Sequence, residues 1–438
     1  MKRTAIYQLL KWQQTSDVRP VLITGAKGVG KTYLAYDFSK AFFDHTFYLN
    51  FEHDGYAGKI FNEKDPYKLV KHMLEYFHIE VDDNNEIGTN NINNTGRVLI
   101  LDEISHCPPA IEMLMSLQFT GEFPRIIAIS SNPIAKEKIN LFNHIPLYPM
   151  QFDEFLVAIA KEWYIETIYT HFETNKKVPD IVHKELLGIY KLYLQIGGMP
   201  GIINEYLNFN NSSNIPERHN LLSGTYQNYL SQINSDGDAF KMIQVLNSLP
   251  LQLMKENKKF QYNIIRKGTT HAMYKEAIQG LSDYNYVIAS YKIATEDLPN
   301  LKSIIKENKL NIEDINNFKL YQSDVGLLYT QLVKQSPPPF QKPIEKGLLE
   351  NYVAMNLESN GYPIVFWESD SMAKVDFLLI KRDELVPIEV FVGTNTRSKS
   401  ISVLKQKIDI PYSIKISAKN FDFSNNVKYV PYYATFCI

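Results

Sequence analysis

The stretch that most restricts what this chain can fold into lies near its start. Val21–Leu22–Ile23–Thr24 runs straight into Gly25–Ala26–Lys27–Gly28–Val29–Gly30–Lys31–Thr32–Tyr33. A short apolar strand, then Gly-x-x-x-x-Gly-Lys-Thr, then a helix-forming segment, is a phosphate-binding loop in the context it requires. Glycines at 25, 28 and 30 let the backbone wrap a polyphosphate with its N–H groups turned inward. The helix that begins near Lys31 adds its positive end. Lys31 can reach the β- and γ-phosphates, and the Thr32 hydroxyl can ligate Mg²⁺. With the neighbouring Lys27 and Tyr33, this stretch is the expected binding site for ATP and Mg²⁺.

A phosphate loop needs a partner that handles the metal and the attacking water. Arg97–Val98–Leu99–Ile100–Leu101–Asp102–Glu103 is an apolar strand ending in two acids. Asp102 at the strand's carboxyl edge can hold Mg²⁺ through water, and Glu103 can polarise the nucleophilic water. Arg125–Ile126–Ile127–Ala128–Ile129 is a further buried strand, ending in Ser130–Ser131–Asn132. Ligands of parallel α/β sheets lie beyond the carboxyl ends of the strands. Ser130, Ser131 or Asn132 is therefore a candidate contact to the γ-phosphate or the water, while Ser-Ser-Asn-Pro is equally good turn chemistry.

The flanking segments agree with an α/β reading. A short helix is expected over 4–14, a helix from the loop to about Phe43, and a strand at Thr46–Phe51. Another helix runs from Asp65–Pro66, with proline suited to its first turn, to about Phe77. The asparagine-rich stretch from Asp82 to Gly96 reads as a polar loop. Alternating strands and helices through residue 150 predict a doubly wound parallel sheet. From Phe152 to about residue 232 the pattern is mainly helical, broken at Gly197–Gly198–Met199–Pro200. Over 239–295 a helix, a turn, a second helix from Thr270 to Asp283 and a strand near Val287–Tyr291 suggest a winged helix. Lys255, Lys258, Lys259, Arg266 and Lys267 beside it offer a DNA-facing surface, or an ordinary solvated face of a packing module. Ser336–Pro337–Pro338–Pro339 marks a break. After it come a helix at Glu345–Leu357 and strands at Pro363–Trp367, Val375–Ile380, Leu385–Val392, Tyr412–Ile416 and Tyr429–Tyr433, a second α/β domain.

Composition narrows the partners. With 46 Lys and Arg against 48 Asp and Glu, there is no global basic signature for nucleic acid. Two cysteines, Cys107 and Cys437, make neither a disulfide framework nor a metal cluster. No run approaches about 18 apolar residues, so no membrane span is expected. The first residues lead into an amphipathic segment and lack an apolar signal core, so a cytoplasmic location is expected.

Taken together, these landmarks resemble predicted ATPases of the AAA+ superfamily that carry a C-terminal restriction-endonuclease-like domain of unknown function. The resemblance rests on Gly25–Thr32, Leu101–Asp102–Glu103, Leu147–Leu156, Gly197–Gly198–Met199–Pro200, Lys319–Leu328 with its Asp324–Val325–Gly326–Leu327–Leu328 core, Val375–Asp376–Phe377 and Pro387–Ile388–Glu389–Val390. It implies an ATPase domain at 1–150, a helical lid at 151–232, a winged-helix module at 233–300 and a nuclease-like PD-(D/E)XK α/β domain at 301–438. It also implies that Gly198 and Pro200 approach the adenine. Asp376 and Glu389 stand in the two metal-holding acid positions of such nucleases, with Glu350 as an upstream acid. Where the Glu-x-Lys triplet has its lysine, this chain has Phe391, and an apolar ring cannot donate to a phosphate or hydroxide. Lys399 and Lys405 are candidate substitutes, and Lys374 replaces a usual acid. A catalytically degenerate nuclease site is expected. The family's basic residue before Tyr148–Pro149 is replaced by Asn143–His144, leaving Arg125 or Lys27 to compensate.

The expected function is Mg-dependent ATP hydrolysis that switches the conformation of the C-terminal domains. The alternatives are an ATP-controlled DNA-binding protein or nuclease, and a nucleotide-stabilised scaffold for a protein partner with little turnover.

Overall fold

Strand residues Val98 to Leu101 show how the first half of the molecule is built. Val98 and Ile100 point to one face of their sheet and Leu99 and Leu101 to the other, and all four are fully buried. A strand covered on both faces has no polar alternation, which is why these segments read as continuous apolar runs. The computed structural model describes residues 1–15, 17, 19–79, 96–209, 211–307, 310, 317–369 and 373–438. The asparagine-rich stretch expected as a loop lies, up to Thr95, outside the described residues. The chain forms two compact units, Lys2–Tyr148 and Pro149–Ile438, the second also taking Met1.

In the first unit, β1 (Val21–Thr24), β2 (His45–Asn50), β3 (Arg97–Asp102), β4 (Arg125–Ser130) and β5 (Asn143–Pro146) make a sheet of order β2-β3-β4-β1-β5. Every pairing is parallel. This is the α/β sheet typical of P-loop ATPases. One face packs on Leu69, Val70, Met73, Leu114 and Leu117. The other packs on Leu9, Trp12, Leu34 and Phe38. Register aligns Asn50 with Asp102 and Thr24 with Ser130, so the polar strand ends emerge along one edge.

The second unit is built on an eight-stranded mixed sheet of order β12-β13-β11-β10-β9-β8-β6-β7. Its strands are β6 (Val287–Ile293), β7 (Phe318–Gln322), β8 (Val365–Glu368), β9 (Lys374–Lys381), β10 (Glu384–Val390), β11 (Ser413–Ser417), β12 (Asp422–Ser424) and β13 (Val427–Pro431). The strand expected to close a winged module is β6. It pairs antiparallel with β7 and parallel with β8, so one sheet runs across residue 300. The helix Lys342–Ser359 is buried almost all round, from Ile344 to Leu357, and carries Glu350, Asn351 and Asn356 into the interior. Its Tyr352 belongs to an aromatic cluster with Phe152, Tyr190, Tyr193 and Tyr432.

Two of the quoted sequence blocks meet inside this unit. The helices Asp180–Ile196 and Pro200–Phe209 join at a 115° bend through Gly197–Gly198–Met199. Asp324 caps the helix Val325–Gln335, accepting from Leu327 N–H at 3.0 Å and from Gly198 N–H at 2.7 Å. Gly198 O in turn accepts from Met150 N–H at 2.7 Å. Burial pushes the Asp324 carboxyl up to about 6, against the N–H groups of Gly198, Leu327 and Gly326, which favour its charged form. A folded-state pKa raised above the usual 3.8 means the folded state holds the proton longer. Asp324's contribution to stability is thus fullest below about pH 4 and is lost as pH rises to about 6. We expect a fall on the order of 2 kcal/mol across that window. Chemical denaturation of the wild type and Asp324→Asn at each pH checks this: the difference between their stabilities should follow that curve, and a pH-independent difference refutes it. No single helix among the described residues is long and apolar enough to cross a membrane.

Candidate nucleotide site

The loop after β1 folds as its glycines require. Gly25, Gly28 and Gly30 have φ of 148°, 84° and 97°, conformations that L side chains rarely adopt. At Gly25 a Cβ would also run into the Leu147 carbonyl oxygen. The helix Lys31–Phe42 starts directly behind the loop.

Lys31 is 5% exposed, and its ammonium donates to Gly25 O at 2.9 Å, Ala26 O at 3.1 Å and Ser131 Oγ at 2.8 Å. Burial lowers its pKa to about 8, and the carboxylates of Glu103 and Asp102 work against that fall. The Thr32 hydroxyl donates to Asp102 Oδ2 at 2.8 Å. The same oxygen accepts from Tyr48 OH at 2.7 Å, and burial, with this bond, pushes the phenol up to about 12. A threonine hydroxyl beside a carboxylate oxygen is a hard-oxygen pair, which fits Mg²⁺ completed by phosphate and water.

Glu103 sits in the left-handed region at φ 52° and ψ 46°. For a non-glycine residue this conformation costs about 1–2 kcal/mol. It persists because Ser131 clamps the carboxylate: the Ser131 N–H donates to Oε2 at 2.9 Å and the Ser131 hydroxyl to Oε1. Ser131 therefore joins Lys31 to Glu103 through one hydroxyl. Its neighbours take the turn role, with Ser130 Oγ donating to Asn132 O at 2.7 Å.

Two contacts are invisible in the motif. Arg3 donates to Val29 O at 2.8 Å and to Tyr148 O at 2.5 Å, bracing the loop from the chain's third residue. Leu147 N–H donates to Thr24 O at 2.7 Å, so the segment leaving this unit begins against the loop. A lone arginine before a predicted helix carries no signal for this. Lys27 pairs with Glu52 at 2.6 Å, and Tyr33 is 56% exposed. Arg125 does not compensate for a missing arginine near the phosphates. It opens β4, about 17 Å from Ser130 at roughly 3.3 Å per residue. There it donates to Asp17 O at 2.9 Å and lies over the Trp12 ring. His144 bonds Thr24 Oγ1 at 2.7 Å. Gly198 and Pro200 belong to the other unit, where the polar backbone groups of Gly198 bond Asp324 and Met150.

The three acids expected in the C-terminal domain do come together. Asp376 on β9 accepts from Val390 N–H on β10 at 2.7 Å and from Lys346 Nζ at 2.6 Å. Lys346 also lies 3.4 Å from Glu350 Oε1 and donates to the Val390 carbonyl. Glu350 Oε2 accepts from Lys319 at 3.2 Å and Tyr321 OH at 3.0 Å. Burial pushes the Glu350 carboxyl up, but the ammoniums of Lys319, Lys346 and Lys258 outweigh it and hold it well below the usual range. Glu389 accepts from Ser398 at 2.5 Å and faces Lys415 at 3.7 Å, its register partner on β11. Burial raises its pKa. Asp376, Glu389 and Phe391 line a cleft of about 430 Å³ together with Lys258, Lys342, Lys346 and Lys374. Lys399 and Lys405 are exposed; the ammoniums that reach the acids are those of Lys319, Lys346 and Lys415.

Residues 17–156 match the AAA domain family. Residues 188–337 and 345–435 match two further families, each described as a domain of unknown function. The Gly197–Pro200 and Asp324–Leu328 blocks fall within the first of these. No curated protein matches the chain. Solved structures give loose similarities. A Walker-type ATPase of Pyrococcus abyssi is 13% identical over 75% of this chain and 95% of its own, with a TM-score of 0.41. AMPPCP-bound DnaA from Aquifex aeolicus is 14% identical over 76% and 94%, with a TM-score of 0.28. A signal-transduction ATPase with numerous domains from Pyrococcus horikoshii, bearing a tetratricopeptide-repeat sensor, is 14% identical over 82% and 45%, with a TM-score of 0.29.

Proposed function

We propose that the unit Lys2–Tyr148 binds ATP with Mg²⁺ at the Gly25–Thr32 loop and hydrolyses it, and that turnover acts as a conformational switch on the unit Pro149–Ile438. The observation that carries the hydrolytic reading is the Lys31–Ser131–Glu103 chain. It joins the Lys31 ammonium and the Glu103 carboxylate through one serine hydroxyl at the carboxyl edge of the sheet. Thr32 and Asp102 would hold the Mg²⁺, which neutralises charge on the phosphates when bound. Lys31 binds and orients the terminal phosphates. Glu103, fixed by Ser131, accepts the proton of the attacking water.

The switch rests on connectivity. Leu147 and Tyr148 contact the loop through Thr24, Gly25 and Arg3. Two residues later Met150 bonds Gly198 and accepts from Tyr193 OH at 2.6 Å. A shift of the loop is thereby passed along the backbone to the Gly197–Asp324 junction.

Glu103→Gln tests the hydrolytic role. The amide keeps the shape but cannot take a proton, so phosphate release should fall 10²–10⁴-fold, the usual range for a lost general base. ATP affinity by calorimetry should change less than about threefold. Unchanged turnover would remove Glu103 from the mechanism.

A further inference from the structure

The resemblance to nucleases implies a divalent metal between Asp376 and Glu389, and the residues present do not fit one. The position is taken. Lys346 Nζ touches Asp376 Oδ2, Glu350 Oε1 and the Val390 carbonyl, an oxygen set of two carboxylates and one backbone carbonyl drawn from three elements. That is the kind of hard-oxygen set a divalent cation would otherwise gather. We propose that the Lys346 ammonium is a built-in substitute for a divalent cation, and that removing it turns this cleft into a metal-binding site.

Charge supports the substitution. Glu350, Asp376 and Glu389 are faced by Lys319, Lys346 and Lys415. Three carboxylates against three ammoniums leave no net negative charge for an added dication, and Lys258, buried nearby, opposes it further. Among the described residues no group of three His, Cys, Asp or Glu side chains is arranged to hold a metal. The second, independent observation is Glu389. It is 4% exposed, it lines the cleft, and its Oε2 is buried without a hydrogen bond, its nearest cation being Lys415 at 3.7 Å. With Lys346 truncated, Asp376 Oδ2, Glu350 Oε1 and the Val390 carbonyl would face the space the ammonium leaves, with Glu389 lining the same cleft.

Mn²⁺ binding to the full chain tests this, with Asp102→Asn as the common background so that the phosphate loop does not contribute. Titration calorimetry and Mn²⁺ electron paramagnetic resonance should find no site in this cleft with Lys346 present. Lys346→Ala should gain one Mn²⁺ site at least tenfold tighter than anything in the background protein, and Glu389→Gln added to it should abolish the gain. Lys346→Arg, which keeps the charge, should gain none. A folded Lys346→Ala protein that gains no site overturns the proposal. If Lys346→Ala does not fold, Lys346→Met, which keeps the apolar stem and all three carboxylates, takes its place, with the same expected gain. Independently, a Mn²⁺-dependent rise in melting temperature of the background protein that Asp376→Asn removes would show that the cleft already holds a metal, and would overturn the proposal.

Discussion

Lys31→Ala is expected to weaken ATP binding at least 100-fold and to abolish phosphate release. The ammonium is nearly buried and already makes three hydrogen bonds, to Gly25 O, Ala26 O and Ser131 Oγ. A bound polyphosphate would take some of these donors, and hydrogen bonds to a charged group are worth about 1.5–3 kcal/mol each. Two of them account for roughly 3–6 kcal/mol, or 10²–10⁴ in affinity. Alanine also leaves the Glu103 and Asp102 carboxylates without the cation that interacts with both. Calorimetry with ATP gives the affinity, and pH adds a second reading. Because burial lowers Lys31 to about 8, the wild-type affinity should weaken as pH rises through that value, whereas the variant should show no such slope. Binding within fivefold of wild type would remove Lys31 from the site.

Gly326→Ala is expected to destabilise the C-terminal unit by about 3 kcal/mol, near the top of the usual range for overpacking. Gly326 lies in the first turn of the helix Val325–Gln335, where alanine is normally the better helix former. Here a Cβ would meet Gly197 N and Ile196 O, each at 2.6 Å. Those are backbone atoms at the 115° bend, and no rotamer change moves them. Gly201→Ala is the control. It lies in the helix Pro200–Phe209 with open space around its Cβ, so it should be neutral or stabilising by up to about 1 kcal/mol. Denaturant melts compare the two. Equal stabilities would mean that the Gly197–Asp324 junction is not a tight contact.

What the sequence made legible was local chemistry. The strand, loop and helix at 21–42, and Asp102–Glu103 behind an apolar strand, are contiguous, and each residue type has one plausible task there. Ser131 was half-legible: its place at a strand end was readable, but its clamp on Glu103 depends on a left-handed backbone that no sequence rule announces. Phe391 lines the cleft with Asp376 and Glu389, and the ammoniums that reach the acids come from elsewhere. Lys415 arrives through the parallel register of β10 and β11, and Lys346 from a helix 30 residues ahead of Asp376. Arg125 failed as a candidate because a basic residue at the start of a strand and one at its end look alike in a string of letters. The continuous sheet was missed for a related reason: β6 finds its parallel partner β8 some 70 residues later, after an intervening helix-rich stretch.

The position of Lys346 has a consequence for the cell as well as for the fold. A bound ion has an occupancy set by supply, competition and chelation. An ammonium carried on the helix Lys342–Ser359 is present at one copy per chain from the moment the chain is made. The C-terminal unit therefore keeps its central positive charge through metal starvation and through dialysis against EDTA alike. At neutral pH, mutation or acylation of its nitrogen is what takes that charge away.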